Sequence, residues 1–296
     1  MNSREAGFLL LTSHLGDPER KVLTVPQLRK LAQRLQTVDR LSEDREMIPE
    51  DFLRLGCGQQ EAQRMIGLLN DDEQLAWYMQ KGKRSGCVPI TRVSEGYPLQ
   101  LRKRLGLDSP GCLWAKGDLS LLQRPIVALV GSRQLRKENR AFAEEAGKQA
   151  ALQGITLVSG NASGADRTAQ DACLAHGGSV VSVVADRLEE LPEDERILYL
   201  SEDGYDLPFS PQRALSRNRV IHCLGRIVLI AQCTYGKGGT WDGTTQNLRK
   251  NWSGVYCFDD GSEAAVELSQ QGALLVGTDQ LQDLAALQPE RNLFDQ

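Results

Sequence analysis

The sequence has few aromatic residues, few histidines and no long apolar run. Aromatic side chains make up 5% of the 296 residues, and the three histidines, His14, His176 and His222, do not have the spacing of metal ligands. No stretch of about 18 apolar residues is present to span a membrane. The apolar run at 8–11 is too short for a signal peptide. We therefore expect a cytoplasmic protein without a metal centre and without a membrane contact.

Cysteine pairs of the C-x-x-C type are also absent. The seven cysteines are scattered and odd in number: Cys57, Cys87, Cys112, Cys173, Cys223, Cys233 and Cys257. This pattern indicates neither a zinc site nor a disulfide framework, and it is typical of reduced intracellular thiols.

No large excess of positive charge is present. The formal net charge is -4, which argues against a protein coated in basic residues for indiscriminate binding to nucleic acid or membranes. A local basic cleft is compatible with this value. The 41% hydrophobic and 25% charged residues are those of an ordinary globular protein.

Motifs of several enzyme classes are missing. The first glycine loop is not G-x-G-x-x-G, and the sequence contains neither G-x-x-x-x-G-K-[ST] nor a G-x-S-x-G nucleophile elbow. Nothing therefore supports NAD chemistry, ATP hydrolysis or a serine nucleophile. We assign no catalytic residue and expect no cofactor, because no motif requires catalysis.

Residues 4–69 have the apolar spacing of short helices, as at Val25, Leu28 and Leu31. The stretch 53–58 (L-R-L-G-C-G) before a predicted helix at 59–69 is a tight glycine turn. Such turns occur in helix-hairpin-helix proteins that bind the DNA backbone and in plain helical corners, and we favour the plain corner. A further helix is predicted at 73–82 and a strand at 87–91.

After Arg124 the pattern changes to apolar strands alternating with amphipathic helices, which is typical of βαβ units and a mostly parallel sheet. The predicted strands are 126–130, 155–159, 180–184, 197–200, 227–231, 255–258 and 274–276. The predicted helices include 137–152, 165–175, 211–224 and 244–250. We expect an α/β protein with a Rossmann-like, doubly wound, mostly parallel sheet and a small N-terminal helical domain. The predicted domains are 1–85 and 86–296, with a core at 124–280.

Polar or glycine-rich segments follow several of these strands, where ligands bind in open parallel sheets. Gly131, Ser132 and Arg133 follow the first strand. The glycine lets the backbone approach a ligand closely, the serine offers a hydroxyl, and the arginine can bind a phosphate through two parallel hydrogen bonds. The loop 159–166 (S-G-N-A-S-G-A-D) follows the second and runs into a helix, whose N-terminus would attract an anion. Asp166 is read as a residue that binds nearby N–H groups.

Two further segments carry cations. Residues 216–219 (S-R-N-R) lie early on a predicted helix, where one arginine can face the ligand while the other braces the fold. Residues 236–240 (G-K-G-G-T) form another glycine loop. Together the segments predict a phosphate-binding cleft. Its candidate residues are Gly131, Ser132, Arg133, Ser159, Gly160, Ser163, Gly164, Asp166, Arg217, Asn218, Arg219, Lys237, Gly238, Gly239 and Thr240.

The order of several motifs resembles the DNA-processing protein A (DprA/Smf) family over roughly residues 86–280. The motifs are 97–101 (Y-P-L-Q-L), 113–119 (L-W-A-K-G-D-L), 127–133 (V-A-L-V-G-S-R), 159–160 with 164–166 (S-G with G-A-D), 201–202 (S-E), Phe209, 216–219 (S-R-N-R) and 271–276 (Q-G-A-L-L-V).

This resemblance implies a Rossmann-like domain that binds single-stranded DNA in a basic pocket, forms a homodimer and helps to load the RecA recombinase during uptake of foreign DNA, without enzymatic activity. Carried over by position, Arg133, the loop 159–166, Arg217 and Arg219 would line the DNA pocket, with Lys237 as an addition. The scarcity of aromatic residues near the loops would weaken stacking on bases.

The sequence departs from the family pattern at 134–137 (Q-L-R-K) and at Gln170, where a histidine is common. The loop 236–240 is similar to that of the related nucleotide-binding LOG proteins. A nucleotide sensor or nucleotide-processing hydrolase of that superfamily is the alternative, with Asp166 or Asp242 as its carboxylate. A third hypothesis is a protein that serves as an interaction platform and has lost the ability to bind DNA at this site.

Overall fold

The computed structural model describes residues 1–36 and 47–287. Its chain divides into two compact units. Unit 1 contains Met1–Trp114 and Glu202–Leu207, and unit 2 contains Ala115–Ser201 and the residues from Pro208 onward. The predicted helical span 4–69 includes 37–46, which lie outside the described residues.

Unit 1 is mainly helical. Its elements are α1 (Ser3–Thr12), α2 (Val25–Gln36), α3 (Pro49–Arg54), α4 (Gln59–Leu69), α5 (Asp72–Arg84), β1 (Cys87–Thr91) and α6 (Leu99–Leu105), and strand β2 (Cys112–Lys116) ends unit 1 and begins unit 2. Leu28 and Leu31 of α2 pack with Phe52, Ala62 and Met65 in a buried cluster. The apolar spacing of the sequence thus gives each helix a buried face.

The segment 202–207 joins unit 1 through aromatic side chains. The ring of Tyr205 stacks on Tyr78 with centroids 4.3 Å apart, and Trp114 meets Tyr78 edge-on at 5.1 Å. The Tyr78 hydroxyl donates to Asp206 Oδ1 at 2.6 Å, and the Tyr205 hydroxyl donates to the Tyr78 carbonyl at 2.8 Å. Both buried hydroxyls therefore have partners.

The compact units do not follow the predicted division at residue 85, because residues 86–114 contact the N-terminal helices. Ser94 Oγ donates to Glu5 Oε1 at 2.7 Å, and Arg29 pairs with Asp108 at 2.7 Å. Whether the functional domains follow the predicted limits 1–85 and 86–296 stays a prediction.

Unit 2 alternates strands and helices. Its strands are β3 (Ile126–Val130), β4 (Thr156–Ser159), β5 (Val180–Val183), β6 (Ile197–Ser201), β7 (Ile227–Ile230), β8 (Gly254–Phe258) and β9 (Leu274–Val276). Its helices are α7 (Lys137–Leu152), α8 (Ala165–Ala175), α9 (Pro211–Ser216), α10 (Asn218–Leu224), α11 (Gly238–Lys250) and α12 (Glu263–Gln270).

These seven strands pair in parallel in the order β6-β5-β4-β3-β7-β8-β9. From β3 the chain first builds the sheet in one direction, through β4 to β6, and then in the other, from β7 to β9. The strand order therefore reverses between β3 and β7, which is the position where doubly wound sheets bind ligands. The predicted α/β fold class is confirmed.

The central strands are mostly apolar, as expected for a sheet covered on both faces, and their polar residues are Thr156, Ser159 and Ser182. All residues of β3, β4, β5 and β7 are buried. Helix α7 packs closely on α8: a Cβ at Gly147 would overlap the carbonyl of Ala169. Glycine is required at that contact because the two helix backbones nearly touch.

Three elements differ from their prediction. The predicted helix 211–224 is two helices, α9 and α10, with Arg217 between them. Helix α11 begins at Gly238, six residues before the predicted start. The sequence did not indicate this first turn because it contains glycines, which have low helix propensity. Strand β2 was not predicted as a strand.

Within residues 1–36 and 47–287, no helix has both the length and the apolar character needed to cross a membrane. The same part of the chain contains no group of three or more His, Cys, Asp or Glu side chains that could hold a metal ion. All seven cysteines are buried, and none of them forms a disulfide with another described cysteine.

Candidate nucleic-acid interface

A cleft of about 520 Å³ in unit 2 lies at the carboxyl ends of β3 and β7, where the strand order reverses. This volume is within the range of about 300–1,000 Å³ that is usual for small-ligand sites. The lining residues are Val130, Gly131, Ser132, Arg133, Ala162, Asp166, Phe209, Pro211, Ala214, Leu215, Arg217, Asn218, Ile221, His222, Thr234, Lys237, Gly238, Gly239 and Thr240. The structure thus brings together residues from every predicted segment.

The first loop, 131–133, is tied to the end of β7. Ser132 donates to the carbonyl of Gln232 through both its N–H, at 2.8 Å, and its Oγ, at 3.2 Å. The hydroxyl of Ser132 is therefore engaged by the protein itself. Arg133 is exposed, lines the cleft and has no ion pair or hydrogen bond within the described chain. Its guanidinium is the group of this loop that can bind a phosphate.

The second loop, 159–166, differs from the prediction, because the protein already occupies several of its N–H groups. Asp166 Oδ2 accepts from the N–H groups of Gly160, at 3.1 Å, and Ala162, at 3.3 Å. The N–H of Ala165 donates to the carbonyl of Ser132 at 3.1 Å. A phosphate at this loop would compete with a carboxylate, so the loop is a poorer anion site than its sequence indicates.

Asp166 is buried at the wall of the cleft, and its pKa is raised to about 6. Burial is the main cause, and the charges of Arg217 and Arg133 and the two N–H donors oppose it. The prediction that Asp166 binds nearby N–H groups agrees with these contacts. Asp242, the other carboxylate of the hydrolase alternative, is exposed and is not among the lining residues of the cleft.

Ser159, the first residue of the second loop, takes part in a buried hydrogen-bond network that supports the fold. Gln170 is buried and its Nε2 donates to Ser159 Oγ at 2.6 Å and to Ser182 Oγ at 3.3 Å, which joins α8 to β4 and β5. Of the loop 159–166, Ala162 and Asp166 line the cleft, and Asp166 is the only one of the two that was a candidate site residue. Ser159, Gly160, Ser163 and Gly164 do not line it.

Gly164 nevertheless sets the position of the first loop. It has φ +83°, and a Cβ there would overlap the carbonyls of Ser132 and Arg133. A left-handed backbone conformation and this close approach both require glycine. The second loop thus acts on the cleft by supporting the first.

The two arginines of 216–219 have separate positions. Arg217 is 8% exposed, and its Nη1 donates to the carbonyls of Gly160 and Val183 at the ends of β4 and β5. Burial lowers the pKa of its guanidinium and the nearby Asp166 opposes this shift. Arg217 therefore braces the strand ends while it lines the cleft. Arg219 is partly exposed and does not line the cleft.

The fourth segment is the first turn of α11. Residues 235–236 form a turn that is closed by a bridge between Thr234 and Lys237. Gly238, Gly239 and Thr240 follow, and their N–H groups belong to the helix N-terminus, where they have no partner within the helix. Asn218 Nδ2 donates to the Gly239 carbonyl at 3.0 Å and positions this turn. Lys237 is exposed and, like Arg133, has no ion pair in the described residues.

Several lining residues were not among the candidates from the sequence, and three of them stand out. Phe209 and Leu215 are 48% and 53% exposed and form an apolar wall. The third is His222, which is fully buried. The position of Phe209 just before the S-R-N-R segment was a usable signal. For His222 the only signal was its place on the predicted helix 211–224.

Comparison with known proteins points to one family. A sequence model of the family described as DNA recombination-mediator protein A matches residues 89–286. "DNA processing protein DprA" of Streptococcus pneumoniae strain R6 is 32% identical over 192 residues, which cover 58% of this chain and 66% of that protein. "DNA processing protein DprA" of Bacillus subtilis strain 168 is 27% identical over 235 residues, covering 74% of this chain and 76% of the relative. The match to "Protein Smf" of Escherichia coli K12 is 27% identical and covers 75% of this chain and 62% of the relative.

Solved structures agree with this assignment. The X-ray structure of DprA from Streptococcus pneumoniae is similar with a TM-score of 0.73 and 26% identity, over 96% of this chain and 98% of that one. A structure of DNA processing protein A from Helicobacter pylori shares the fold, with a TM-score of 0.56 and 21% identity over 68% of this chain and 95% of that one. With two-thirds of its length matched by one family model and its fold shared with these structures, the chain belongs to the DNA recombination-mediator protein A family.

Proposed function

We propose that the cleft between the ends of β3 and β7 binds the backbone of single-stranded DNA. The observation that carries the proposal is the position of Arg133 and Lys237, two exposed cations that have no ion pair among residues 1–36 and 47–287 and that line the same cleft as the first turn of α11. Two cations and a helix N-terminus together bind phosphate oxygens through charge and N–H donors.

Binding of this kind depends on salt and little on sequence. A protein that neutralises phosphates of a single strand releases counterions, so its affinity falls as salt rises, by about 0.7 in log affinity per log salt for each phosphate neutralised. The net charge of -4 does not oppose this, because Arg133, Arg217 and Lys237 supply positive charge locally at the cleft.

The apolar wall supports DNA rather than a bare phosphate as the ligand. The half-exposed ring of Phe209 offers one face on which a base can stack, and Leu215 lines the same cleft. The Helicobacter pylori relative is described as having a single-stranded DNA binding mode. We assign single-stranded DNA to this cleft, rather than the free nucleotide of the alternative hypothesis.

The test is fluorescence anisotropy with a labelled oligo-dT of about 30 nucleotides over several salt concentrations. We expect the double variant Arg133→Ala/Lys237→Ala to bind more weakly and with a smaller salt slope than wild type. The matched control is Arg187→Ala/Lys250→Ala, which removes the same charge from exposed residues outside the cleft. Failure of the wild type to bind at low salt, or equal losses in the two double variants, would refute the proposal.

The resemblance also supplies the partners in this proposal. We infer that the protein acts in the cytoplasm as a homodimer that protects single-stranded DNA and helps to load RecA during recombination or natural transformation. Light scattering tests the dimer, and RecA filament assembly on DNA coated with a single-strand-binding protein tests the loading. A monomer, or filaments that form at the same rate without this protein, would contradict these parts and leave DNA binding intact.

A further inference from the structure

Helices α2 and α6 of unit 1 contain cations and no carboxylate. Their charged residues are Arg29, Lys30 and Arg34 in α2 and Arg102, Lys103 and Arg104 in α6. The whole chain, in contrast, has 35 basic and 39 acidic residues. The exposed surface of a protein with such a composition usually mixes both signs of charge. Positive charge is therefore concentrated on these two helices, and we call their six cations the basic face.

A single helical turn, Gly106–Asp108, follows α6 directly and joins it to α2. Helix α2 packs against this turn, and Arg29 Nε lies 2.7 Å from Asp108 Oδ1. A second carboxylate, Glu61 of α4, lies 3.8 Å from Arg34. Asp108 and Glu61 thus offset part of the positive charge of the basic face, and an excess of cations is left.

Two lysines of the basic face are available to a ligand. Lys30 and Lys103 are exposed, and neither has an ion pair or hydrogen bond within residues 1–36 and 47–287. Arg102 is also exposed, but its Nη2 donates to the carbonyl of Arg92 at 2.9 Å and its guanidinium lies 5.8 Å from the ring centroid of Tyr97. The arginine is held by the protein, whereas the two lysines extend into solvent.

The charge pattern of α2 does not stabilise the helix itself. Lys30 and Arg34 are four residues apart, and like charges at this spacing repel each other on a helix surface. Helix α2 is held instead by its buried residues Leu28 and Leu31, which pack in the core of unit 1. The exposed cations therefore add nothing to the packing of α2, and a polyanion that binds them would relieve their repulsion.

We propose that the basic face of unit 1 binds the phosphate backbone of single-stranded DNA, with Lys30 and Lys103 as its main contacts. Every lining residue of the cleft belongs to unit 2, so this is a second site, and it goes beyond the proposed function. Lysine binds phosphate as a point charge, whereas lysines are depleted in protein–protein interfaces. The two exposed lysines favour a phosphate backbone over an acidic protein as the occupant.

The basic face offers charge and no stacking surface. Helices α2 and α6 contain no aromatic residue, so bases have no ring there on which to stack. A flexible single strand can bring successive phosphates to cations on two separate helices. Binding at the basic face should therefore depend strongly on salt and not on the base sequence.

The experiment measures the anisotropy of a labelled oligo-dT of about 30 nucleotides with the full chain over a series of salt concentrations. Lys30→Gln/Lys103→Gln removes two charges and preserves helix propensity. Each lost phosphate contact should lower the salt slope by about 0.7 and the affinity by about 5-fold at about 0.1 M salt. The matched control is Lys83→Gln/Lys250→Gln, which removes the same charge from exposed lysines outside both sites and should retain the wild-type slope.

Lysine acetylation read by mass spectrometry supplies a second measurement on the wild type. Saturating oligo-dT should protect Lys30 and Lys103 from the reagent and leave Lys83 and Lys250 as reactive as in the free protein. Because this readout reports on individual side chains, it does not depend on whether a substitution alters the fold.

The outcomes separate the basic face from the cleft. A salt slope in Lys30→Gln/Lys103→Gln equal to that of the control, or lysines 30 and 103 that stay reactive with DNA present, would refute the basic face and leave the cleft intact. Weakened binding in this variant together with wild-type binding in Arg133→Ala/Lys237→Ala would support the basic face and refute the proposed function. If the wild type does not bind the strand, both sites are refuted.

Discussion

The guanidinium of Arg217 donates hydrogen bonds to the main-chain carbonyl of Gly160, the residue that follows strand β4. It also donates to the carbonyl of Val183 at the end of β5. One buried cation thus holds the ends of two adjacent strands and lies near the buried carboxyl of Asp166. Arg217 is thus the arginine of 216–219 that braces the fold, a role that the motif allowed for one of its two arginines without indicating which, and this role separates it from Arg133.

Arg217→Ala should therefore destabilise the protein. The substitution leaves two buried carbonyls without their donor and removes from Asp166 the positive charge of Arg217, and we expect the free energy of unfolding to fall by about 3 kcal/mol. Urea denaturation measures this loss. Arg133→Ala is the comparison, because it removes an exposed arginine of the same cleft and should change stability by less than about 0.5 kcal/mol while weakening DNA binding. Equal stability of the two variants would contradict a bracing role for Arg217.

Asp166 should make stability depend on pH between about 4 and 6. Its pKa is raised from 3.8 to about 6, so the folded protein binds the proton more tightly than the unfolded chain. Its contribution is fully present below pH 3.8 and is lost as pH rises through 6. The difference of about two pKa units corresponds to about 3 kcal/mol.

Urea denaturation of wild type and Asp166→Asn at pH 4.5 and pH 7 isolates this contribution, since the asparagine does not titrate. The wild type should lose more stability than the variant on going to pH 7. A difference of the opposite sign would mean that the hydrogen bonds from Gly160 and Ala162 outweigh burial and hold the pKa of Asp166 down.

Gly164→Ala should disturb both the fold and the cleft. The new Cβ would overlap the carbonyls of Ser132 and Arg133 in a left-handed conformation, so we expect a loss of about 2–4 kcal/mol in unfolding free energy and weaker DNA binding. Gly154→Ala is the control: Gly154 has φ +66° with nothing within 4 Å, so backbone strain of about 1 kcal/mol is the whole effect. If the two variants lose similar amounts of unfolding free energy, the close approach of Gly164 to the first loop is unimportant for stability.

Phe209→Ala should reduce DNA affinity without a loss of stability. Stacking is worth about 1–3 kcal/mol per base, which corresponds to about 5- to 150-fold in affinity for oligo-dT. Tyr235→Ala is the control, because Tyr235 is similarly exposed, at 45%, and does not line the cleft. Anisotropy titrations at one salt concentration suffice, and an unchanged affinity in Phe209→Ala would remove stacking from the proposed binding mode.

The sequence by itself determined the architecture of unit 2. Strand β3 and helices α7 and α8 have the predicted bounds, because buried strands and amphipathic helices leave local patterns that are independent of distant contacts. It also predicts the edge of the sheet at which a ligand would bind, since the residues after parallel strands must meet at one edge. That this cleft is the binding site stays a prediction. Arg133, Lys237 and Asn218 line the cleft as predicted.

Only the tertiary structure decided what each site residue does. Asp166 occupies N–H groups that the loop sequence offers to an anion, and Arg217 is held by carbonyls distant in sequence. Asn247, from another helix, lies within hydrogen-bond distance of His222 Nδ1, and His222 Nε2 has no hydrogen-bond partner in the described part of the chain. These roles depend on partners 4 to 57 residues away, and sequence periodicity carries no information about which polar groups meet after folding. The patterns place residues on elements, whereas the packing of the elements decides which of their polar groups are left for a ligand.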